Sequence, residues 1–140
     1  MALVHHPEIG TIVICDFHGF VTPEMVKRRP AVVVSPRFRN RAGLCTIVPL
    51  STTPPAPVMP YHYKLHMDEP LPHPYSAPFH WVKADMFATV SFERLSLPHA
   101  GKDRSGKRQY VVKVIDLVDL RNIQACMLQA LGLSHLTAHL

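Results

Sequence analysis

The chain has 140 residues, 47% of them hydrophobic and 18% charged, a balance that fits a globular protein and excludes wholesale disorder. This length predicts a single domain over residues 1–140, with enough chain for a real core. A net charge of +5 and a pI near 9.4 favour a polyanionic partner, nucleic acid before a membrane surface.

The N-terminal segment predicts no export signal, because residues 1–7 lack both a basic region and a long apolar run. No uninterrupted apolar stretch approaches the roughly 20 residues that a membrane-spanning helix needs. The three cysteines, Cys15, Cys45 and Cys126, are odd in number and far apart. Because Cys15 and Cys45 lie in apolar runs, we expect them to act as small hydrophobic residues in a reducing cytoplasm.

Short runs of β-branched and aromatic residues predict a chain of strands. They fall at residues 11–15, 30–34, 44–50, 61–65, 81–84, 88–92 and 110–115. Polar and basic stretches separate them and predict turns at residues 18–29, 37–43 and 99–108. The second strand is almost continuously apolar, which predicts a central position in the sheet.

The middle of the chain is rich in proline and histidine. Eight of the 14 prolines fall within residues 54–78, and proline is excluded from central strands, so a loop insertion is predicted over about 54–80. The four histidines of this segment follow no metal-ligand spacing and are interpreted as surface loop residues: His62, His66, His73 and His80. A metal-dependent hydrolase that uses them is the weakest of three functional alternatives.

The period changes to helical at the C-terminus. Apolar residues recur at Leu120, Ile123, Met127 and Leu131, with Leu128 widening the stripe. Asp116 and Gly132 fit the start and stop of this helix. The economical architecture is a small, strongly bent β-barrel with a terminal helix.

One end of the predicted sheet combines basic and hydroxyl side chains. Arg29 ends a basic turn and enters the second strand, whereas Ser51, Thr52 and Thr53 follow the third. If these strands are neighbours, guanidinium and hydroxyl groups meet there. Arginine offers a planar charged fork for phosphate and hydroxyls add neutral donors, so the combination indicates a phosphodiester.

Four segments together resemble the PemK/MazF family of toxin endoribonucleases from bacterial toxin–antitoxin systems. They read GTIVICDF at residues 10–17, RPAVVVSP at 29–36, VPLST at 48–52 and WVKAD at 81–85. Glu24 lies five residues before Arg29, as the loop glutamate of the family does. The resemblance implies an SH3-like barrel with a C-terminal helix, a homodimer, metal-independent cleavage of single-stranded RNA without a cofactor, and inhibition by a cognate antitoxin.

The resemblance also implies the site. Arg29 would neutralise the phosphorane and take part in proton transfer, Thr52 would bind a non-bridging oxygen, and Glu24 or Asp85 would accept the 2′-OH proton. Six further residues are candidates for RNA binding: Lys27, Arg28, Ser51, Thr53, Lys83 and His18. Four aromatic residues would offer stacking surfaces or core packing: Tyr61, Tyr63, Phe79 and Trp81.

A second functional class fits the same sequence: a catalytically inactive barrel that binds nucleic acid or a protein. Under that hypothesis Arg29 is a solvated loop residue and Thr52 satisfies the backbone at a strand end. The two hypotheses differ in geometry. An enzyme needs Arg29, Thr52 and one carboxylate around a common phosphate-sized space, whereas a binding protein needs only a basic or apolar face.

Overall fold

The structure, a computed structural model, describes residues 2–140. The described residues form a mainly β fold that ends in a helix. The strands are β1 (Ile12–Cys15), β2 (Arg29–Val33), β3 (Leu44–Ser51), β4 (His62–His66), β5 (Phe79–Lys83), β6 (Ala88–Ser91), β7 (Leu95–Ser96), β8 (His99–Lys102) and β9 (Arg108–Tyr110), and the α-helix is α1 (Leu117–Ala130). Short 3₁₀-helices span Ala84–Met86, Phe92–Arg94 and Ser134–His139.

Seven strands form one antiparallel sheet in the order β4-β5-β3-β2-β1-β7, with β6 also paired to β3. β3 organises this sheet because its first half pairs with β6 and its last two residues pair with β5. This arrangement confirms the predicted mainly β fold with a C-terminal helix. The pairing does not close into a ring, so the closed SH3-like barrel stays a prediction.

The central strands are buried on both faces, and successive side chains alternate between two hydrophobic clusters. The first cluster packs the sheet against α1 and includes Val32, Leu50 and Val82. The second, on the other face, includes Ala31 and Ile47. Alternate residues of a strand therefore lie on the same face of the sheet, either the face of the first cluster or that of the second. Cys15 and Cys45 belong to the second cluster and Cys126 to the first, and all three are free thiols.

The helix begins and ends as the sequence predicts. The Asp116 carboxylate accepts a hydrogen bond from the Asp119 N–H at 2.8 Å, which caps the N-terminus. Gly132 has φ +73°, and the Leu133 N–H donates to the Leu128 carbonyl at 2.8 Å, which completes a Schellman motif. The predicted stripe is wrong at Leu131, which is 54% exposed because it lies beyond the last helical residue.

Two predictions for the region before the helix are wrong. Residues 99–108 are not a simple turn, because β8 and β9 pair within and beside them as a separate two-stranded hairpin. Residues 110–115 do not form the last strand: beyond Tyr110, only an isolated bridge joins Thr11 to Val114. The alternating valines of this segment point to solvent instead, with Val112 71% exposed.

The proline- and histidine-rich segment is not a pure surface loop. Met67 and Leu71 are buried in the first hydrophobic cluster, which anchors the β4–β5 connection to the core. The interpretation of its histidines as surface loop residues is correct for His73, half correct for His66, which is exposed but lies in β4, and wrong for the other two. His80 lies in β5 with 1% of its surface exposed, and the His62 side chain in β4 is 8% exposed. Among the described helices, none is long and apolar enough to cross a bilayer.

Candidate functional site

The end of the β2–β3 pair brings Arg29 and Ser51 together. Ala31 is opposite Pro49 in the antiparallel register, so the same register continues to Arg29 opposite Ser51. An Arg29 guanidinium N–H donates to the Ser51 hydroxyl at 3.5 Å. The predicted meeting of a guanidinium and a strand-end hydroxyl is therefore present in the structure.

The Arg29 guanidinium has no acidic partner in the structure. No carboxylate among residues 2–140 lies within 4.0 Å of it, and its Nε is buried without a hydrogen-bond acceptor. A half-buried cation in this state keeps part of its desolvation cost uncompensated. An anion placed beside the Arg29 guanidinium would balance its charge.

Ser51 shapes the turn that follows β3. Its hydroxyl accepts a hydrogen bond from the Thr53 N–H at 3.2 Å, a Ser/Thr turn, while the residue itself is 4% exposed. The chain therefore reverses over Thr52, which is exposed directly beside the Arg29–Ser51 contact. Ser51 links the guanidinium to this turn, whereas Thr52 and Thr53 lie at the surface.

The two predicted carboxylates line one cleft of about 590 Å³. Glu24 comes from the β1–β2 loop and Asp85 from the 3₁₀-helix after β5, and both are exposed. Phe17 and Ala88 form part of its apolar wall and pack in or against the second hydrophobic cluster. Because Arg29 has the same parity in β2 as Ala31 of that cluster, it extends from the same face of the sheet.

His62 adjoins the Asp85 carboxylate, a neighbour that the sequence analysis did not assign to the site. Its Nε2 lies 4.0 Å from Asp85 Oδ1, and its Nδ1 accepts a hydrogen bond from the Met59 N–H at 3.0 Å. An imidazole that accepts at Nδ1 carries its proton on Nε2, so the N–H faces Asp85. Burial and the nearby Lys83 lower the pKa of His62, which keeps this ring neutral.

Several predicted RNA-binding residues lie elsewhere. Arg28 is on the opposite face from Arg29 and pairs with Asp16 at 3.3 Å. His18 lines a separate cleft with Asp16 and Arg94. A backbone N–H donated by His18, together with Arg28, lowers the pKa of Asp16. Lys27 is exposed in the loop before β2.

The site extends along β5 toward β4, a part that the sequence analysis did not assemble. Ser51 is opposite Trp81, and Trp81 is opposite Lys64 on its other side. Lys83 at the end of β5 is opposite His62. Strand alternation places Lys83 on the same face as Trp81, but Asp85 follows in the 3₁₀-helix rather than on the strand. The sequence does show alternating side chains over residues 79–83. This alternation identifies which of them share a face with Ser51 only when β3 is known to be the neighbouring strand.

The histidines do not gather into a metal site. Within residues 2–140, no group of three or more histidine, cysteine, aspartate or glutamate side chains is placed to hold a metal ion.

A mainly β fold that holds an arginine without a carboxylate partner beside strand-end hydroxyls offers a place for an anionic, phosphate-like group, and Glu24 and Asp85 line a cleft whose lining does not include Arg29. Sequence comparison then gives the family: the chain belongs to the PemK-like, MazF-like toxins of type II toxin–antitoxin systems, which it matches over residues 8–118. This membership confirms the family predicted from the motifs. Because the PemK/MazF family is one of endoribonuclease toxins, it also confirms the predicted enzyme class.

Individual relatives are distant. An uncharacterized protein of Haemophilus influenzae is 26% identical over 144 residues, which cover 94% of each chain. A mycobacterial endoribonuclease solved in complex with its cognate antitoxin has a TM-score of 0.62 at 21% identity, with 91% of this chain and 96% of that chain covered. MazF from Deinococcus radiodurans has a TM-score of 0.58 at 22% identity, with 91% and 98% covered. At these identities the structures show a shared fold.

Proposed function

We propose that this protein cleaves single-stranded RNA by internal transesterification, without a metal ion. The 2′-oxygen attacks the adjacent phosphorus, the bond from phosphorus to the 5′-oxygen breaks, and the products carry a 2′,3′-cyclic phosphate and a 5′-OH. The nucleophile belongs to the substrate, so the reaction needs no metal-activated water. The protein must take the 2′-OH proton, stabilise charge on the phosphorane and supply a proton to the leaving oxygen.

The side chains divide these tasks. Arg29 balances the charge on the non-bridging oxygens and passes a proton to the leaving 5′-oxygen, and the exposed Thr52 hydroxyl donates to one non-bridging oxygen. Glu24, an exposed carboxylate of the β1–β2 loop that lines the cleft with Asp85, accepts the 2′-OH proton. Asp85, beside the Nε2–H of His62, holds the ribose and orients the attacking hydroxyl.

The unpaired Arg29 guanidinium is the observation that carries this proposal. It is half-buried beside Ser51, lies outside the lining of the cleft that Glu24 and Asp85 share, and lacks a carboxylate partner among the described residues. A structural arginine would be expected to pair with a protein carboxylate, as Arg28 does with Asp16. A phosphate diester supplies an anionic partner for the Arg29 guanidinium, and the family match makes RNA the substrate to test first.

Incubation of the purified protein with a long single-stranded RNA in EDTA tests this function. We expect discrete fragments ending in cyclic phosphate, and losses of roughly 100-fold or more for both Arg29→Ala and Thr52→Ala. Arg28→Ala is the matched control, because this neighbouring arginine pairs with Asp16 on the other face. DNA of the same sequence lacks the 2′-OH and should remain intact.

Cleavage that disappears only with chelator would replace this mechanism with a metal-dependent one. RNA binding without any cleavage by the intact protein would favour the rival function, an inactive nucleic-acid-binding or protein-binding domain. Equal loss in Arg28→Ala and Arg29→Ala would contradict the assignment of the site to one face.

The same proposal includes the assembly of the protein. We expect one domain over residues 1–140 whose sheet curls as an SH3-like barrel, a cytoplasmic homodimer, and a cognate antitoxin that covers the site. Exposed apolar residues before and within α1 support a protein contact: Val112, Val114, Leu117 and Val118.

Sedimentation equilibrium tests the homodimer: the mass should be twice the 15.8 kDa chain mass, and Val118→Asp should shift it toward that of the monomer. A wild-type mass of one chain would contradict the dimer.

A further inference from the structure

The β4–β5 pair carries a second group of side chains on the face that holds Arg29. Trp81 is opposite both Ser51 of β3 and Lys64 of β4, and directly opposed residues in antiparallel strands share a face. Arg29 contacts Ser51 from the other side. One row of side chains therefore crosses four adjacent strands, Lys64, Trp81, Ser51 and Arg29, at a spacing of about 4.8 Å per strand.

The row is aromatic and basic next to the phosphate site. The Lys64 ammonium lies 4.0 Å from the centre of the Phe79 ring and 5.9 Å from that of Trp81. Phe79 and Trp81 alternate with the buried His80 and Val82, so they occupy the outer face of β5 and are only half-buried. Phe79 and Trp81 are not needed to fill the core, because the buried His80 and Val82 already occupy the inward positions of β5.

Trp81 presents ring carbon to solvent. Its indole Nε1 is buried and makes no hydrogen bond within residues 2–140, although the residue as a whole is half-exposed. Its accessible surface is therefore suited to stacking rather than to hydrogen bonding. Every nucleobase has a π-face, so such a surface binds bases with little sequence preference, and the adjacent ammonium attracts the phosphate chain.

We infer that Trp81, flanked by Lys64 and Phe79, forms a stacking platform for a base next to the phosphate held by Arg29. The inference rests on the proposed RNA substrate and extends it, because it assigns a binding subsite outside the reacting atoms. The platform lies one strand from Ser51, so a base beside the scissile linkage reaches Trp81 while its phosphate stays at Arg29. It anchors the strand and takes no part in proton transfer.

The chain has a single tryptophan, so its fluorescence reports on Trp81 alone. A short DNA oligonucleotide of mixed sequence lacks the 2′-OH and serves as an uncleaved probe, and an abasic strand of equal length keeps the charge without the bases. We expect the normal strand to quench the fluorescence and the abasic strand to leave it nearly unchanged. Equal quenching by the normal and the abasic strand would overturn the platform. So would an unchanged fluorescence when anisotropy shows that the normal strand is bound. Quenching by oligoglutamate but not by the oligonucleotide would also overturn it, in favour of an acidic protein segment.

Variants provide the second measurement. Trp81→Ala should weaken oligonucleotide binding roughly 5- to 150-fold, and Trp81→Phe should retain most of the affinity. Phe38→Ala is a matched control, because Phe38 is an exposed aromatic with the Arg41 guanidinium 4.7 Å above its ring in the β2–β3 turn. Equal affinity of Trp81→Ala and the wild type contradicts the platform. Quenching without cleavage of RNA contradicts the proposed enzyme alone, whereas cleavage without quenching contradicts the platform alone.

Discussion

Arg28 and Arg29 are consecutive and chemically identical, yet the strand sends them to opposite faces. Arg28 reaches Asp16 at 3.3 Å, a pair in which both side chains are largely exposed and which adds little stability. Within the described chain, Arg29 makes one side-chain hydrogen bond, to the Ser51 hydroxyl, and has no carboxylate partner. The position on the pleat, not the residue type, therefore separates a surface ion pair from the arginine that we propose to bind phosphate.

Arg29→Lys should lower RNA cleavage roughly 100-fold while Arg28→Lys changes it by no more than about twofold. Lysine keeps the charge but loses the planar fork that contacts two phosphate oxygens together. Initial rates on one RNA substrate measure both effects, and circular dichroism checks the fold. Full activity of Arg29→Lys would mean that charge alone suffices and that the fork has no role.

Ser51 is a positioning residue whose loss should affect turnover more than binding. Ser51→Ala removes the acceptor of both Arg29 and the Thr53 N–H, at a cost of about 1 kcal/mol in unfolding free energy. We expect kcat to fall roughly 10- to 100-fold with KM little changed, because the guanidinium and Thr52 lose their alignment.

The control for Ser51 has the same local geometry. Ser91 forms an equivalent turn by accepting from the Glu93 N–H at 3.2 Å but is exposed, so Ser91→Ala should cost less stability than Ser51→Ala and leave kcat unchanged. Ser51→Thr restores the hydroxyl and should recover much of the activity. If Ser51→Ala raises KM and leaves kcat unchanged, Ser51 binds substrate instead of positioning Arg29.

Among the elements, β4 and α1 are joined by one short hydrogen bond. The Tyr63 hydroxyl donates to the Asp119 carboxylate at 2.6 Å. Burial and this bond raise the pKa of Tyr63 to about 12. A hydrogen bond to a charged acceptor contributes roughly 1.5–3 kcal/mol, so Tyr63→Phe should lower the unfolding free energy by that order in a urea titration.

Spectrophotometric titration separates this bond from simple packing. The wild type should show one tyrosine that ionises near pH 12, and Tyr63→Phe should lack it. Tyr110→Phe is the comparison, since Tyr110 is 37% exposed in β9 and outside both hydrophobic clusters. A late-titrating tyrosine that survives in Tyr63→Phe would disprove the assignment.

The elements also show which features local sequence determines. Strands β1 to β3 and the caps of α1 could be predicted because their signals are local: β-branched runs, an Asp at the N-cap and a glycine at the stop. Residues 110–115 have the same β-branched composition, but beyond Tyr110 their strand pairing is limited to the single bridge from Val114 to Thr11, and Val112 and Val114 are exposed. A strand exists only when another strand satisfies its backbone.

The candidate site could likewise be predicted only in part. Arg29 and the hydroxyls after β3 follow from neighbouring strands that are close in sequence. His62 and Lys64 could not be assigned to the site from the sequence. Their position depends on the pairing of β5 with both β3 and β4, and a proline-rich segment separates these strands in the sequence. The opposite faces of Arg28 and Arg29 follow from alternation and could have been predicted once β2 was drawn to begin at Arg29.

At the scale of the whole molecule, the stability should depend on pH through histidines inside the fold. His80 is 1% exposed, and burial lowers its pKa below the ordinary value of 6.5. Burial and Lys83 lower the pKa of His62 as well, against the opposite effect of Asp85. The unfolded chain therefore takes up protons on both rings at a higher pH than the folded chain does.

The two histidines lower the unfolding free energy as the pH falls. Above about pH 7 both rings are neutral in both states, so they contribute no pH dependence. As the pH falls through 6.5, the unfolded state gains protons and the unfolding free energy drops, by at most about 1.4 kcal/mol per pH unit for each ring. The decline continues until the folded-state pKa values are reached. Urea titrations between pH 7.5 and about pH 5 should show it, above the range in which most carboxylates titrate.

His80→Leu removes the buried ring and should flatten part of this decline, whereas His66→Gln and His73→Gln, both at exposed positions, should leave it unchanged. If the two exposed-site variants flatten the curve as much as His80→Leu, the pH dependence comes from general surface charge. If His80→Leu alone does so, the acid sensitivity of the fold originates in β5, the strand whose outer face carries Trp81 and whose inner face buries His80. The strand that extends the site would then also be the one that limits its stability in acid.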